Sequence, residues 1–270
     1  MSKKALSIPF IVWIICGTVV PLIVVVYYGF TTKTGEFTFD NILAISTPEH
    51  MKALTLALLL SFASTVICFL LAFPLAMILR NSRLGKNGFV IFIFVLPMWM
   101  NFMLRTMAWR VILEKGGIIN SMLESIGVPA LEIINTPVAV VLGMVYDFLP
   151  FMVLPIFNTM VKIDNGLFEA AYDLGASRIT AFFKVLLPLT VPGIISGITM
   201  VFIPSLTTFV ISNMLGGGKI HLIGNIIEQE FTVSNNRNLG AGLSLVMMCF
   251  ILISMLLFAK FDKDGEGNVL

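Results

Sequence analysis

Charge is scarce in this chain. Only 12% of its 270 residues are Asp, Glu, Lys or Arg, where a soluble domain carries about 25%. With 58% hydrophobic residues, that shortage excludes an ordinary soluble domain and marks an integral membrane protein. Histidine and cysteine are almost as rare, at two and three residues. Cys16, Cys68 and Cys249 lie far apart inside apolar runs and have no histidine nearby in sequence. They support neither a disulfide framework nor a zinc site and read as small hydrophobes. His50 and His221 are isolated near span ends or loops and read as surface or interface residues. The chain offers no Ser/His/Asp set, no HExxH and no paired carboxylates, so nothing points to catalysis. The net charge of +2 says little about partners, and no nucleic-acid partner is expected.

Long apolar runs are what the chain does have. A helix needs about 20 such residues to cross a bilayer. Six runs qualify: Ile8 to Phe30, Ala53 to Leu79, Gly88 to about Met107, Pro137 to about Asn158, Leu189 to about Leu215, and Leu239 to Ala259. The first is longer than the apolar core of a signal peptide, about 7–15 residues, and reads as a span. Backbone in lipid must satisfy its own hydrogen bonds, so runs this long are helices. The expected fold class is an all-α integral membrane protein with six transmembrane helices. Pro74, Pro97, Pro150, Pro155 and Pro204 fall inside the spans, where each frees a carbonyl and can kink a helix. Thr31 to Lys52 and Gly216 to Asn238 read as external loops, with a surface-lying helix over Ile220–Phe231. Trp109 to Thr136 reads as a longer polar segment.

Basic residues favour the cytoplasmic side. An even number of spans puts both termini on one side, together with ten Lys and Arg residues that include Lys3, Arg80, Lys162 and Arg178. Seven lie on the other side, among them Arg105, Lys115 and Lys219. Both termini are therefore expected in the cytoplasm.

One polar stretch, Asp164 to Pro188, interrupts this pattern: DNGLFEAAYDLGASRITAFFKVLLP. Leu167, Phe168, Ala171 and Leu174 recur at three- and four-residue spacing and share one helical face. Asp164 or Asn165 can cap the start of that helix. Gly175 can end it in a left-handed conformation. Ser177 can cap a second helix that passes Phe182 and Phe183 and enters the next span. The stretch predicts a short helix, a bend and a second helix, with a shallow surface at Ala170, Ala171 and Gly175 that a partner can approach.

Glu169-Ala170-Ala171, three residues, Gly175, nine residues, Val185, one residue, then Leu187-Pro188 resembles the EAA signature of bacterial ABC importer permeases. The family usually has Ile where Val185 stands. The resemblance implies that this cytoplasmic segment, 164–188, is a coupling helix that docks on a separate ATPase. Glu169, Ala170, Ala171 and Gly175 are then the ATPase-coupling residues. It also implies the type I ABC importer permease fold, with residues 51–260 as the transmembrane domain. Residues 1–50 form an N-terminal span and external loop, and 261–270 a cytoplasmic tail.

Polar and aromatic groups at membrane depth mark a route for substrate. A carboxylate such as Asp147 costs about 2.5–3.5 kcal/mol at mid-membrane unless it is paired or wet. It can meet a passing cation, or pair structurally with Arg105. The indoles of Trp99 and Trp109 attract amines weakly, and Asn101, Tyr146 and Asn213 are further candidates of the same kind. Val95 to Thr106, Val145 to Met160, Leu187 to Gly197 and Ser212 to Phe231 resemble the B-type permeases of spermidine/putrescine importers. That resemblance implies a subunit of a bacterial inner-membrane importer moving polyamines. The implied partners are a second permease in a heterodimer, an ATPase dimer and an extracellular polyamine-binding protein, which would dock near Gly216–Gly218. No cofactor is expected in this chain, with Mg-ATP on the partner ATPase. Gly216-Gly217-Gly218-Lys219 lacks the spacing of a phosphate loop and has Ile220 where Ser or Thr is needed. A type I importer permease for another small solute is the alternative.

Overall fold

The computed structural model describes residues 3–82 and 96–266. Regular structure among them is helical, and the only strand-like feature is one isolated bridge between Thr31 and Phe37. Helix α1 runs over 3–29 through a π-helical turn at Ile15–Val19. It is followed by α2 Pro48–Asn81, α3 Phe102–Leu113, α4 Ile118–Ser125 and α5 Pro137–Lys162. Then come α6 Gly166–Asp173, α7 Arg178–Thr207, α8 Val210–Leu215, α9 Ile223–Thr232 and α10 Arg237–Glu266.

Five helical stretches are long and apolar enough to cross a membrane: Pro9–Gly29, Pro48–Asn81, Pro137–Lys162, Arg178–Thr207 and Arg237–Phe258. They correspond to the expected spans one, two, four, five and six. The expected third span, from Gly88 to about Met107, begins within residues 83–95, which lie outside the described residues. The described residues therefore contain five candidate spans, not six. Helix α2 continues through Pro74, α5 through Pro150 and Pro155, and α7 through Pro192 and Pro204.

Two boundaries differ from the sequence reading. The fifth span ends at Thr207 rather than near Leu215, because Thr208 turns extended with ψ 138° before α8 begins. The Thr207 hydroxyl donates to the carbonyls of Ile203 at 3.1 Å and Pro204 at 3.4 Å, taking over acceptors at the helix end. The second difference lies at Asn101, inside the expected third span. Its side-chain oxygen accepts from the backbone N–H of Met103 at 2.8 Å and Leu104 at 3.3 Å, so it starts α3 as an N-cap. Helix α3 then continues to Leu113, into what reads as a polar segment.

The chain forms two compact units. One contains residues 1–55 and 223–253. Ala53, Ile226 and Leu243 are its buried centre, with Ile45, Ile227 and Leu239 packed around them. Asn238 Nδ2 donates to the carbonyls of Tyr28 and Thr31, and Asn41 Nδ2 to those of Gly29 and Thr31. Two amides thus satisfy carbonyls that the end of α1 leaves open.

The other unit contains residues 56–222 and 254–270. Its core is the close packing of α5 on α7. Gly193 and Gly197 sit one turn apart on α7. A Cβ at Gly193 would stand 2.5 Å from Thr159 Oγ1 and 2.8 Å from the Pro155 carbonyl oxygen. One at Gly197 would stand 2.7 Å from Met152 Sδ. Lipid gives two membrane helices no hydrophobic reason to associate, so small residues that let backbones approach supply the contact. The buried α5 side chains Met152, Val153, Ile156 and Met160 belong to this core.

Candidate functional site

The polar stretch between α5 and α7 takes the shape its residues predict. Asp164 Oδ1 accepts from the Gly166 N–H at 2.9 Å and leads the chain into α6. Asn165 occupies the N-cap position but makes no side-chain cap bond. Its Oδ1 accepts from Arg80 Nη2 at 2.9 Å instead. Of the two expected caps, then, Asp164 bonds locally and Asn165 bonds across to α2. At the other end Gly175 has φ +82°. Its N–H reaches the Tyr172 carbonyl, and the Ala176 N–H reaches that of Ala171, both at 2.9 Å. This crossed pair of bonds closes the helix and requires a left-handed residue between the donors. Ser177 Oγ accepts from the Thr180 N–H at 3.2 Å and begins α7.

The apolar residues of this segment do not stay on one face. Phe168 and Ala171 are half-buried, whereas Leu167 and Leu174 face outward. Leu174 is 89% exposed and Ile179 71%, with Tyr172 and Phe183 also exposed. Glu169 is exposed, and its carboxylate has no ion-pair partner among the described residues. The segment therefore carries an apolar outer surface edged by a carboxylate.

A second site lies between α3 and α5. Asp147 is 2% exposed and Arg105 8%. Arg105 Nη2 lies 3.2 Å from Asp147 Oδ1. Thr106 Oγ1 donates to Asp147 Oδ2 at 3.2 Å, and Arg105 Nη1 donates to the Pro97 carbonyl at 3.0 Å. The pair is incompletely bonded, since Arg105 Nε and Asp147 Oδ1 have no aligned hydrogen bond. The Arg105–Asp147 contact is within ion-pair range but off the hydrogen-bond direction. A well-made arginine–carboxylate bridge is shorter and two-pronged. This one holds its charges together loosely.

The other candidates for a substrate route are placed as follows. Trp109 meets Tyr146 edge-on, with ring centres 5.2 Å apart. Both line an apolar groove of about 420 Å³ along α5, together with Ile67, Val138, Val145 and Leu149. Trp99 lies in a short 3₁₀ turn and is 72% exposed. Asn101 is committed as the N-cap of α3, and Asn213 is exposed on α8. The structure thus joins Trp109 to Tyr146 and Asp147 to Arg105. Thr106, beside Arg105 in sequence, was not among the expected site residues. Its signal was its own adjacency to the charge that Asp147 needs.

Several apolar helices long enough to span, interrupted by a polar segment between α5 and α7, define the class, a multi-pass membrane protein. The chain belongs to the family of binding-protein-dependent transport system inner membrane components, whose model matches residues 4–264. It is 35% identical over 264 residues to the spermidine/putrescine transport system permease protein PotB of Haemophilus influenzae, covering 95% of this chain and 92% of that protein. It is 30% identical over 259 residues to PotB of Escherichia coli, covering 93% and 94%. Among solved structures it resembles a chain of a bacterial ABC transporter that imports the acidic polysaccharide alginate. The TM-score is 0.79 at 18% identity, over 99% of this chain and 96% of that one. That likeness establishes the fold.

Proposed function

We propose that this chain is a permease subunit of an ATP-driven importer of polyamines such as spermidine and putrescine. The observation that carries the reading is the outward apolar surface of Leu167 on α6, Leu174 at its C-cap and Ile179 at the start of α7, on the segment between two spans. No lipid-facing role needs a capped, charged helix there, and a docking role needs one. The names of the two permease relatives support the polyamine substrate. In this reading α6 docks on a separate ATPase, present in two copies and carrying Mg-ATP. A second, different permease completes the membrane pair, and an extracellular binding protein delivers substrate near Gly216–Gly218. Both termini lie in the cytoplasm.

Glu169, Ala170, Ala171 and Gly175 form the ATPase contact. Asp147 and the Trp109–Tyr146 pair supply weak, successive sites for an alkyl ammonium, each aromatic face contributing about 0.5–2 kcal/mol. Arg105 offsets the charge of Asp147, which keeps a cation from being held too long. Trp99, Asn101 and Asn213 extend the same route.

Uptake of radiolabelled spermidine and putrescine tests this in cells that lack their own polyamine importers. The chain is expressed with its partner subunits, wild type beside Glu169→Ala. The expected result is saturable, energy-dependent uptake that Glu169→Ala abolishes. An assembled complex that takes up neither polyamine would overturn the substrate assignment. Full uptake by Glu169→Ala would overturn the coupling role.

A further inference from the structure

Arg80 stands in the last turn of α2, and its side chain reaches three points on the segment leading into α6. Nη2 donates to the Ile163 carbonyl at 3.1 Å and to Asn165 Oδ1 at 2.9 Å. The guanidinium carbon lies 4.8 Å from the centre of the Phe168 ring. Ile163 is the C-cap of α5, Asn165 the N-cap of α6, and Phe168 lies in the first turn of α6. One side chain therefore holds the end of one helix and the start of the next.

A second contact repeats the link on the far side of the bend. Phe73 on α2 meets Phe182 on α7 edge-on, with ring centres 5.8 Å apart. Phe73 and Arg80 are seven residues apart, so they share a face of α2. Chain connectivity ties α6 only to α5 and α7. Arg80 ties it to α2 as well, and Phe73 ties α2 to α7 beyond the bend.

We infer that Arg80 is a positioning residue that makes α2 move with α6, so that force on the docking segment reaches three spans rather than two. The inference rests on reading α6 as the docking element. Arginine suits the task because its planar fork can meet a backbone carbonyl and a side-chain oxygen while its flat face covers a ring. A cation also complements the negative end of α5 that the Ile163 carbonyl presents. Lysine would keep the charge but lose the fork.

Spin-label distances test this in the complete transporter, assembled with its ATPase partner in lipid nanodiscs. Labels are placed at Ile78→Cys on α2 and Asp173→Cys on α6, both exposed positions. Cys16, Cys68 and Cys249 are replaced by alanine. The distance is read without nucleotide and after trapping with Mg-ATP and vanadate, and needs no transported substrate. The wild-type pair is expected to keep one distance in both states. In Arg80→Ala the distance shifts or broadens on trapping, with Arg80→Lys and the milder Asn165→Ala in between. Polyamine uptake per ATP hydrolysed falls about tenfold in Arg80→Ala, roughly the worth of one charge-assisted hydrogen bond.

A wild-type distance that itself changes on trapping would overturn the inference. So would an Arg80→Ala distance that stays fixed, or an uptake-to-hydrolysis ratio that stays wild-type. Failure of the docking reading shows separately, as an ATPase subunit that stays bound when Leu174 is replaced by Glu. Failure of the substrate reading also shows separately, as wild-type distances without polyamine uptake.

Discussion

Leu174 and Asp147 break the ordinary rule of burial in opposite directions. The first is an apolar side chain 89% exposed on the segment between α5 and α7. The second is a carboxylate 2% exposed within α5. Soluble and membrane proteins alike bury charge only when it is paired. They leave large apolar groups in water mostly where another surface will cover them. The two sites differ in how they are completed. Asp147 is answered inside the chain by Arg105 and Thr106. Leu174 is covered by nothing among the described residues, and in the proposed function a partner covers it. The first departure should therefore be sensitive to changes in this chain's stability, and the second to the presence of a partner.

The largest effect is expected at the buried pair. Asp147→Ala leaves the Arg105 guanidinium buried without its counter-charge, a change that costs about 3–5 kcal/mol. Thermal unfolding of the purified complex in detergent should show a marked loss of stability. Replacing both partners together, Arg105→Met with Asp147→Leu, should restore most of it, because a loose buried pair is often matched by apolar residues of similar volume. Uptake then separates two roles for the carboxylate. A stable double variant that fails to transport puts Asp147 on the substrate route. Full transport would make the pair structural only.

A smaller effect is expected where the segment between α5 and α7 turns. A Cβ at Gly175 would meet no atom within 4 Å, so substitution there brings no clash. Its φ of +82° is the whole difficulty. Gly175→Val forces a β-branched residue into that conformation, at a cost of about 1–2 kcal/mol. The expected outcome is a membrane-inserted, assembled protein whose coupling is impaired, because α6 no longer holds its angle to α7. ATP hydrolysis and uptake measured side by side check this. Wild-type transport by the valine variant would mean that the bend is not part of the coupling.

What the sequence made legible follows the range of the forces involved. The short helix, the left-handed Gly175 and the Ser177 cap were all readable, since each depends on residues within a few positions. Five of the spans were readable from composition alone. The break at Thr207–Thr208 was not, because the apolar run continues unchanged to Leu215 and a threonine hydroxyl decides where the helix stops. Gly193 and Gly197 carried a signal, small residues one turn apart on an apolar helix, but their partner surface on α5 is fixed only by tertiary packing. Arg80 counted in the sequence merely as a basic residue at a span end. Its acceptors lie more than eighty positions away, at Ile163 and Asn165, and no local pattern joins them. Arg105 was a possible partner for Asp147 by charge alone, whereas the hydrogen bond from Thr106 needed the relative rotation of α3 and α5.

The smallest effect on the fold is expected at Leu174, and it tests the comparison most directly. Leu174→Glu alters a side chain that is already almost entirely in solvent, so stability should change by no more than about 0.5 kcal/mol. The same substitution adds a carboxylate beside Asp173 on a surface that the docking reading has a partner cover. Burying that charge without a partner would cost a docked complex far more than the fold loses. Co-purification with the ATPase subunit should therefore fail while the thermal transition of the permease stays where it was. If both remain unchanged, the exposed face is not the docking face. If both fall together, Leu174 supports the fold in a way its exposure does not reveal, and the contrast with Asp147 disappears.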